Sequence, residues 1–277
     1  MKAAELAASD RMSRARAGDW RPPSLLPRLS QRCLVMGGLL VYLLLAGSSI
    51  DLDWNRIAEG WSRGLAFAAG FLHPDFTSRG GDILEGLLES LTMTLVATVL
   101  GIALAIPVGL GAARNLSVLP IYLFCRGVIM ISRTFQEVII AILFVVMFGF
   151  GPLAGVATLA FATIGFMAKL LAEAIEDIDA RPVEAIRATG GSWLQVLNHA
   201  VQPQVMPRLI GLSLYRLDIN FRESAVIGIV GAGGIGATLG TAMDRYEYNT
   251  AAAVLLVIIA IVLASEYFSG HVRRWLQ

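Results

Sequence analysis

Apolar runs long enough to cross a bilayer constrain this chain more than any other feature. A hydrophobic stretch of about 18 residues or more reads as a membrane helix, and several such stretches recur here, Cys33–Ile50 among them without one charge. Composition agrees: 56% of the 277 residues are hydrophobic and 16% are charged, against roughly 25% charge in soluble domains. The chain therefore reads as an all-α polytopic membrane protein whose solvent is the lipid bilayer. This excludes a secreted disulfide scaffold, a disordered chain and a free nucleic-acid binder. A net charge of +1 offers no field for polyanions. Cys33 and Cys125 have neither disulfide nor zinc spacing and read as packing residues.

Six spans are expected. The first is Cys33–Ile50. The second is Ser90–Ala113, closed by Arg114-Asn115. The third runs from Pro120 to about Phe148, the fourth from Leu153 to Leu171. The fifth starts after Pro207 and reaches about Val230, and the sixth is Tyr248–Ser265. The third is too long for a straight crossing: near 43 Å at 1.5 Å per residue, against a hydrocarbon core of roughly 30 Å. It must tilt, kink or protrude. Between the first two spans, Trp54, Ile57, Trp61 and Leu65 recur at helical spacing among Arg56, Glu59 and Arg63. That pattern suits a helix lying in the interface or a packing segment on the outer face.

Basic residues set the orientation, since cytoplasmic segments are enriched in Lys and Arg. Residues 1–32 form an Arg- and Pro-rich tail, and residues 33–277 the membrane domain. The tail, Arg114, Arg181, Arg187 and the Arg273-Arg274 pair all belong in the cytoplasm. With six spans, both termini are then cytoplasmic, and the segment holding Asp51, Asp53, Asp75 and Asp82 is outside.

The polar segment of about 176–203 is the most informative. Pro182 fits the first turn of a helix, carried on by Glu184, Ala185, Ile186, Arg187 and Ala188. Gly190-Gly191 stops it. Ser192 then makes an N-cap, and Gln195 completes a capping box. A second short helix from Trp193 is expected to end before Pro203. Helix connections usually take 2–8 residues, so a loop of about 30 with two capped helices reads as a rigid knob for docking on another protein.

Glu184-Ala185, Gly190 and Pro203 stand in the register of the Glu-Ala-Ala loop of bacterial ABC importer permeases. Ile186 replaces the third alanine. Ala112-Ala113-Arg114-Asn115, Ser132–Glu137, Phe148–Gly155, Ala172–Asp179 and Gly228–Gly236 resemble the phosphonate-type members of that group, although those usually carry a proline near Gln136. The resemblance covers about Phe71 to Arg274. It implies the six-helix type I importer permease fold in a bacterial inner membrane and uptake of phosphonate, phosphite or hypophosphite. It also implies partners: a second permease subunit, identical or paralogous, two ATPase subunits and an extracytoplasmic substrate-binding protein. Glu184, Ala185, Arg187, Gly190, Gly191 and Pro203 would couple to the ATPase. ATP and Mg would be bound there, with no cofactor in this chain. An importer of another small solute such as an amino acid is the alternative.

Gly231-Ala232-Gly233-Gly234-Ile235-Gly236 matches G-x-G-x-x-G after the strand-like Val226–Val230. A dinucleotide site needs a βαβ unit and an acid about 20 residues on; here a membrane span follows. A membrane oxidoreductase is thus a remote alternative. The resemblance instead implies that Gly231, Gly233, Gly234 and Gly236 form a bent segment where two subunits pack closely. No phosphate-binding P-loop occurs, so the chain should be a transport subunit and not an enzyme. His73, His199 and His271 lack ligand spacing, and no metal site is expected.

Charges within spans are expensive and mark functional candidates. Arg133 and Glu137 lie in the third span; Arg216, Asp218, Arg222 and Glu223 lie in the fifth. The guanidinium fork suits phosphate-like oxygens, making Arg133, Glu137, Asn220, Arg222 and Glu223 candidates for a substrate pathway. Arg133–Glu137 and Asp218–Arg222 are each four apart, so they share a helix face and can pair. Substrate contact and structural pairing are both open for these arginines. Asn220 and Glu223 share a face with Arg216, which makes a polar stripe.

Overall fold

The computed structural model describes residues 29–48 and 54–276, with helices and turns but no strand among the described residues. The tail expected over residues 1–32 therefore lies outside the described residues up to Arg28, as do Asp51 and Asp53. Leu29–Arg32 already belong to a helix.

Two compact units divide the chain, residues 1–61 and 62–277. In the first, α1 (Leu29–Ser48) is exposed along nearly its whole length. Helix α2 (Trp54–Gly70) begins in the first unit and ends in the second. The second unit holds α3 (Gly80–Gly111), α4 (Leu119–Thr134), α5 (Glu137–Phe148), α6 (Pro152–Glu176), α7 (Ala180–Ala188), α8 (Trp193–Val196), α9 (Gln202–Ile227), α10 (Ile235–Asp244) and α11 (Tyr248–Leu276). Ser30–Ser48, α3, α6 and Tyr248–His271 are each long and apolar enough to cross a membrane. Two bent pairs, α4 with α5 and the run Trp193–Ala232 with α10, raise the number to as many as six.

Helices α3 and α6 form the centre. Small residues recur every four positions along α3, at Ala97, Gly101, Ala105 and Gly109, and all are buried. Lipid offers helices no hydrophobic drive to associate, so close contact of small residues supplies the dispersion energy. Gly101 shows how close: a Cβ placed there would lie 2.5 Å from Thr163 Cβ and 3.0 Å from the Ala160 carbonyl oxygen. Ala97, Leu159 and Ile227 form one core cluster near one end of this seam; Ala105, Met167, Ala168 and Ala172 form another further along it.

The overlong third span resolves by breaking. Phe135 and Gln136 are extended, with ψ of 138° and 143°, and α4 and α5 meet at 94°. The second short helix does not end before Pro203, as its proline had implied. It continues from α8 through a π-helical turn, Leu197–Val201, straight into α9, whose second residue is Pro203. Val226 and Ile227 close α9, and Gly228–Ala232 form a second π-helical turn, so the strand needed for dinucleotide binding is replaced by helix.

Candidate functional site: a polar hairpin and a buried ionic cluster

The hairpin follows from local capping. Asp179 Oδ1 accepts from Arg181 N at 3.0 Å and caps α7. The Arg181 guanidinium beside it holds the Asp179 carboxyl below the usual carboxylate range. At the tip, Gly190 adopts φ +78° and its N–H donates to Arg187 O at 3.0 Å. Left-handed backbone of this kind costs other L-residues roughly 1–2 kcal/mol. Gly191 N donates to Ile186 O at 3.1 Å. Ser192 and Gln195 then form the capping box, with Ser192 N donating to Gln195 Oε1 at 2.7 Å.

The hairpin is anchored. Val183, Val196, Ala200, Val201 and Val205 share a core with Leu171, Ala174 and Ile175 at the end of α6. Gln204 Oε1 accepts from Asp179 N at 3.0 Å. Its outer face is open: Glu184, Ala185, Arg187, Gly190 and Pro203 are exposed and Gly191 is half-buried. Trp193 and Leu194 also stand out, 50% and 61% exposed. Periodicity gives no sign of this, because a four-residue helix is too short to define a face. Next to the hairpin, Glu176 ties the α3–α4 turn to α6: its Oε1 accepts from Arg114 N and Arg126 Nη2, both at 2.9 Å.

Two of the charges within the spans, Glu137 and Glu223, converge on Arg216, only 3% exposed. Its Nη2 donates to Glu137 Oε1 at 3.3 Å and to Glu223 Oε2 at 3.2 Å, and its Nε donates to Thr163 Oγ1 at 3.1 Å. The guanidinium lies over the Phe166 ring, 5.3 Å from the centroid. Asn220 Nδ2 donates to Thr98 Oγ1 at 2.8 Å and Thr163 Oγ1 at 3.0 Å. Four helices, α3, α5, α6 and α9, are thereby joined by one polar network. A buried charge is tolerable only when paired and hydrogen-bonded, and every member here has a partner.

Two expectations change. Arg133 and Glu137 do not share a face, because the 94° break lies between them; Glu137 turns to Arg216 instead. Asn220 is fully buried between Thr98 and Thr163, so it binds helices together and does not line an open path. The glycines after α9 make their close approaches inside this chain. A Cβ on Gly233 would meet Pro152 N at 2.9 Å, one on Gly236 the carbonyl oxygen of Ala225, and those on Gly231 and Gly234 would meet Phe150 and Ser90. Gly233, Gly234 and Gly236 are buried among the chain's own helices, where they hold α10 against α3, α6 and α9. Glu89 Oε2 and Ser90 Oγ accept from the N–H groups of Gly234 and Ile235 at 3.0 and 2.9 Å at the start of α10.

The other two arginines differ. Arg222 Nη2 lies 3.1 Å from Asp218 Oδ2, and Asp218 also accepts from Ser265 Oγ at 2.9 Å. Arg133 is exposed and has no ion pair among the described residues. No group of three or more His, Cys, Asp or Glu is placed to hold a metal among the described residues. Neither Thr98 nor Thr163 stood out in the sequence, since a threonine within an apolar helix most often bonds its own backbone. Each does so here, to Thr94 O and Leu159 O at 2.6 Å, while also accepting from Asn220.

Comparison with known proteins agrees with this architecture. Residues 85–277 match the family of binding-protein-dependent transport system inner membrane components. The phosphate-import permease PhnE of Mycolicibacterium smegmatis is 45% identical over 72% of this chain, which spans only 38% of that protein's length. The phosphite transport system permease PtxC of Stutzerimonas stutzeri is 37% identical over 93% of this chain and 90% of its own. The fold is that of the inward-facing MetNI methionine ABC transporter, with a TM-score of 0.60 at 24% identity, covering 70% of this chain and 96% of that one. The chain belongs to the inner membrane component family of binding-protein-dependent transport systems and is a permease subunit of an ABC importer.

Proposed function

We propose that this permease carries a phosphorus oxyanion, of the phosphonate, phosphite or hypophosphite class, into the cell. The observation that carries the reading is the 37% identity with a phosphite permease over nearly the whole of both chains. Two permease subunits, identical or paralogous, enclose the path. Two ATPase subunits, which hold ATP and Mg, drive it, and an extracytoplasmic binding protein delivers the anion. The termini and the hairpin face the cytoplasm, in keeping with the basic residues Arg114, Arg181 and Arg187.

The hairpin is the ATPase contact. Its anchored core makes it a lever rather than a loop. Exposed Trp193 and Leu194 supply apolar area beside the charges of Glu184 and Arg187, the mixture that interfaces favour. ATP-driven closure of the ATPase pair pushes the two hairpins, and α6 and α9 transmit the motion because both leave the same core.

The test is uptake of radiolabelled phosphite and methylphosphonate by the complete transporter, reconstituted with its ATPase and binding protein in proteoliposomes. ATP-dependent accumulation of either anion is expected. Accumulation of methionine with neither anion moved would overturn the substrate reading.

A further inference from the structure

Of the five arginines in the third and fifth spans, Arg133 alone has no ion pair among the described residues: Arg126 pairs with Glu176 and Arg208 with Asp177. Arg216 is bound by two glutamates, and Arg222 by Asp218. Its depth is set by its stem. A Cβ on Gly165 would lie 3.1 Å from Arg133 Cγ, and Gly165 is near the middle of the membrane helix α6. Ser132 beside it donates to Phe161 O at 2.7 Å, which pins the last turn of α4 at this level. The break at Phe135-Gln136 follows at once, so α4 ends there and the guanidinium is left exposed instead of stacked on a continuing helix. Glu137, the carboxylate that would have neutralised it on an unbroken helix, is taken by Arg216.

A lone cation at mid-span is strongly disfavoured unless it meets water or a counter-charge. Here the fold removes the local counter-charge and holds the stem in place. We propose that Arg133 is the residue that meets the oxygens of the oxyanion as it crosses the membrane, a specificity-determining contact of the pathway. This rests on the phosphorus-oxyanion reading above. The chemistry fits: the planar guanidinium donates two parallel N–H bonds to neighbouring oxygens of a tetrahedral anion. The paired Arg222 and buried Arg216 serve packing instead.

The experiment compares wild type, Arg133→Ala and Arg133→Lys in the complete reconstituted transporter, with labelled phosphite and methylphosphonate as probes. Complex assembly and uptake are each measured. Loss of a charged hydrogen bond should lower uptake at least about tenfold in Arg133→Ala. Assembly should stay at the wild-type level, and Arg133→Lys should retain part of the uptake. Normal uptake by Arg133→Ala overturns the assignment. So does failed pairing of the permease subunits in that variant, which would mark a contact between subunits. An Arg133→Lys complex as inactive as Arg133→Ala would mark a packing role against Gly165 and also overturn it. If wild type moves neither anion, the substrate reading falls and takes the assignment with it. If wild type and Arg133→Ala move both equally, only the assignment falls.

Discussion

Replacing Arg216 with methionine tests the ionic cluster directly. Arg216 is 3% exposed, and Glu137 and Glu223 are 28% and 22% exposed at their side chains. Methionine keeps much of the volume but strands two carboxylates that share one guanidinium nitrogen. Breaking a buried pair by removing one partner costs about 3–5 kcal/mol, and the lost bond to Thr163 adds roughly 0.5–1.5 kcal/mol. For a domain of this size, 1 kcal/mol moves the melting temperature by roughly 2–4 °C, so a fall of about 7 °C or more is expected. The assay is thermal unfolding of the detergent-solubilised permease, followed by monodisperse fraction on a sizing column. Arg216→Met combined with Glu137→Gln and Glu223→Gln removes the stranded charges, and most of the loss should return. A melting temperature for Arg216→Met within about 2 °C of wild type would refute the cluster as a structural element. A triple variant no better than the single would refute stranded charge as the cause.

Three further outcomes are expected. Gly191→Val would press on Ile186, whose carbonyl oxygen lies 2.8 Å from a Cβ at that position, whereas a Cβ on Gly190 meets nothing within 4 Å; Gly191→Val should cut ATP-driven uptake about tenfold or more by deforming the hairpin, and Gly190→Asn should stay within about twofold because Asn tolerates left-handed backbone. Arg222→Ala leaves Asp218 with Ser265 alone and should reduce protein level in the membrane, while Asp218→Asn with Arg222→Ala should restore it; immunoblots showing no recovery would refute a structural pair. Gly101→Val forces α3 from α6 at Thr163 and should destabilise by roughly 1–3 kcal/mol, read as a lower melting temperature, with no shift counting against the close seam.

Much of the fold was legible without coordinates because its signals are local. Apolar run length marks a span, and capping residues mark helix ends within three or four positions. The excess length of the third span announced a distortion, and the hairpin's stop at Gly190-Gly191 was readable from glycine alone. Pro203 misled because its local meaning is ambiguous: proline follows a helix as readily as it opens one. Only the π-helical turn Leu197–Val201, which lets two helices join without a gap, decided between them.

Charge pairing was decided elsewhere. On the sequence, Arg133 and Glu137 sit one helical turn apart, and nothing local says that the chain bends 94° between them. The bend sends Glu137 to Arg216, 79 residues away, and leaves Arg133 without an ion pair among the described residues. The glycines after α9 follow the same rule: spacing shows that close approach is needed, and only packing shows that Pro152, Ser90 and Ala225 of the same chain are what they approach. The sequence alone determined the membrane spans, the capped hairpin and the family resemblance, since run length, caps and motif spacing act over a few residues. The tertiary structure decided which intramembrane charges are neutralised, because Coulomb energy depends on distance through space, and in a broken helix that distance no longer follows the numbering.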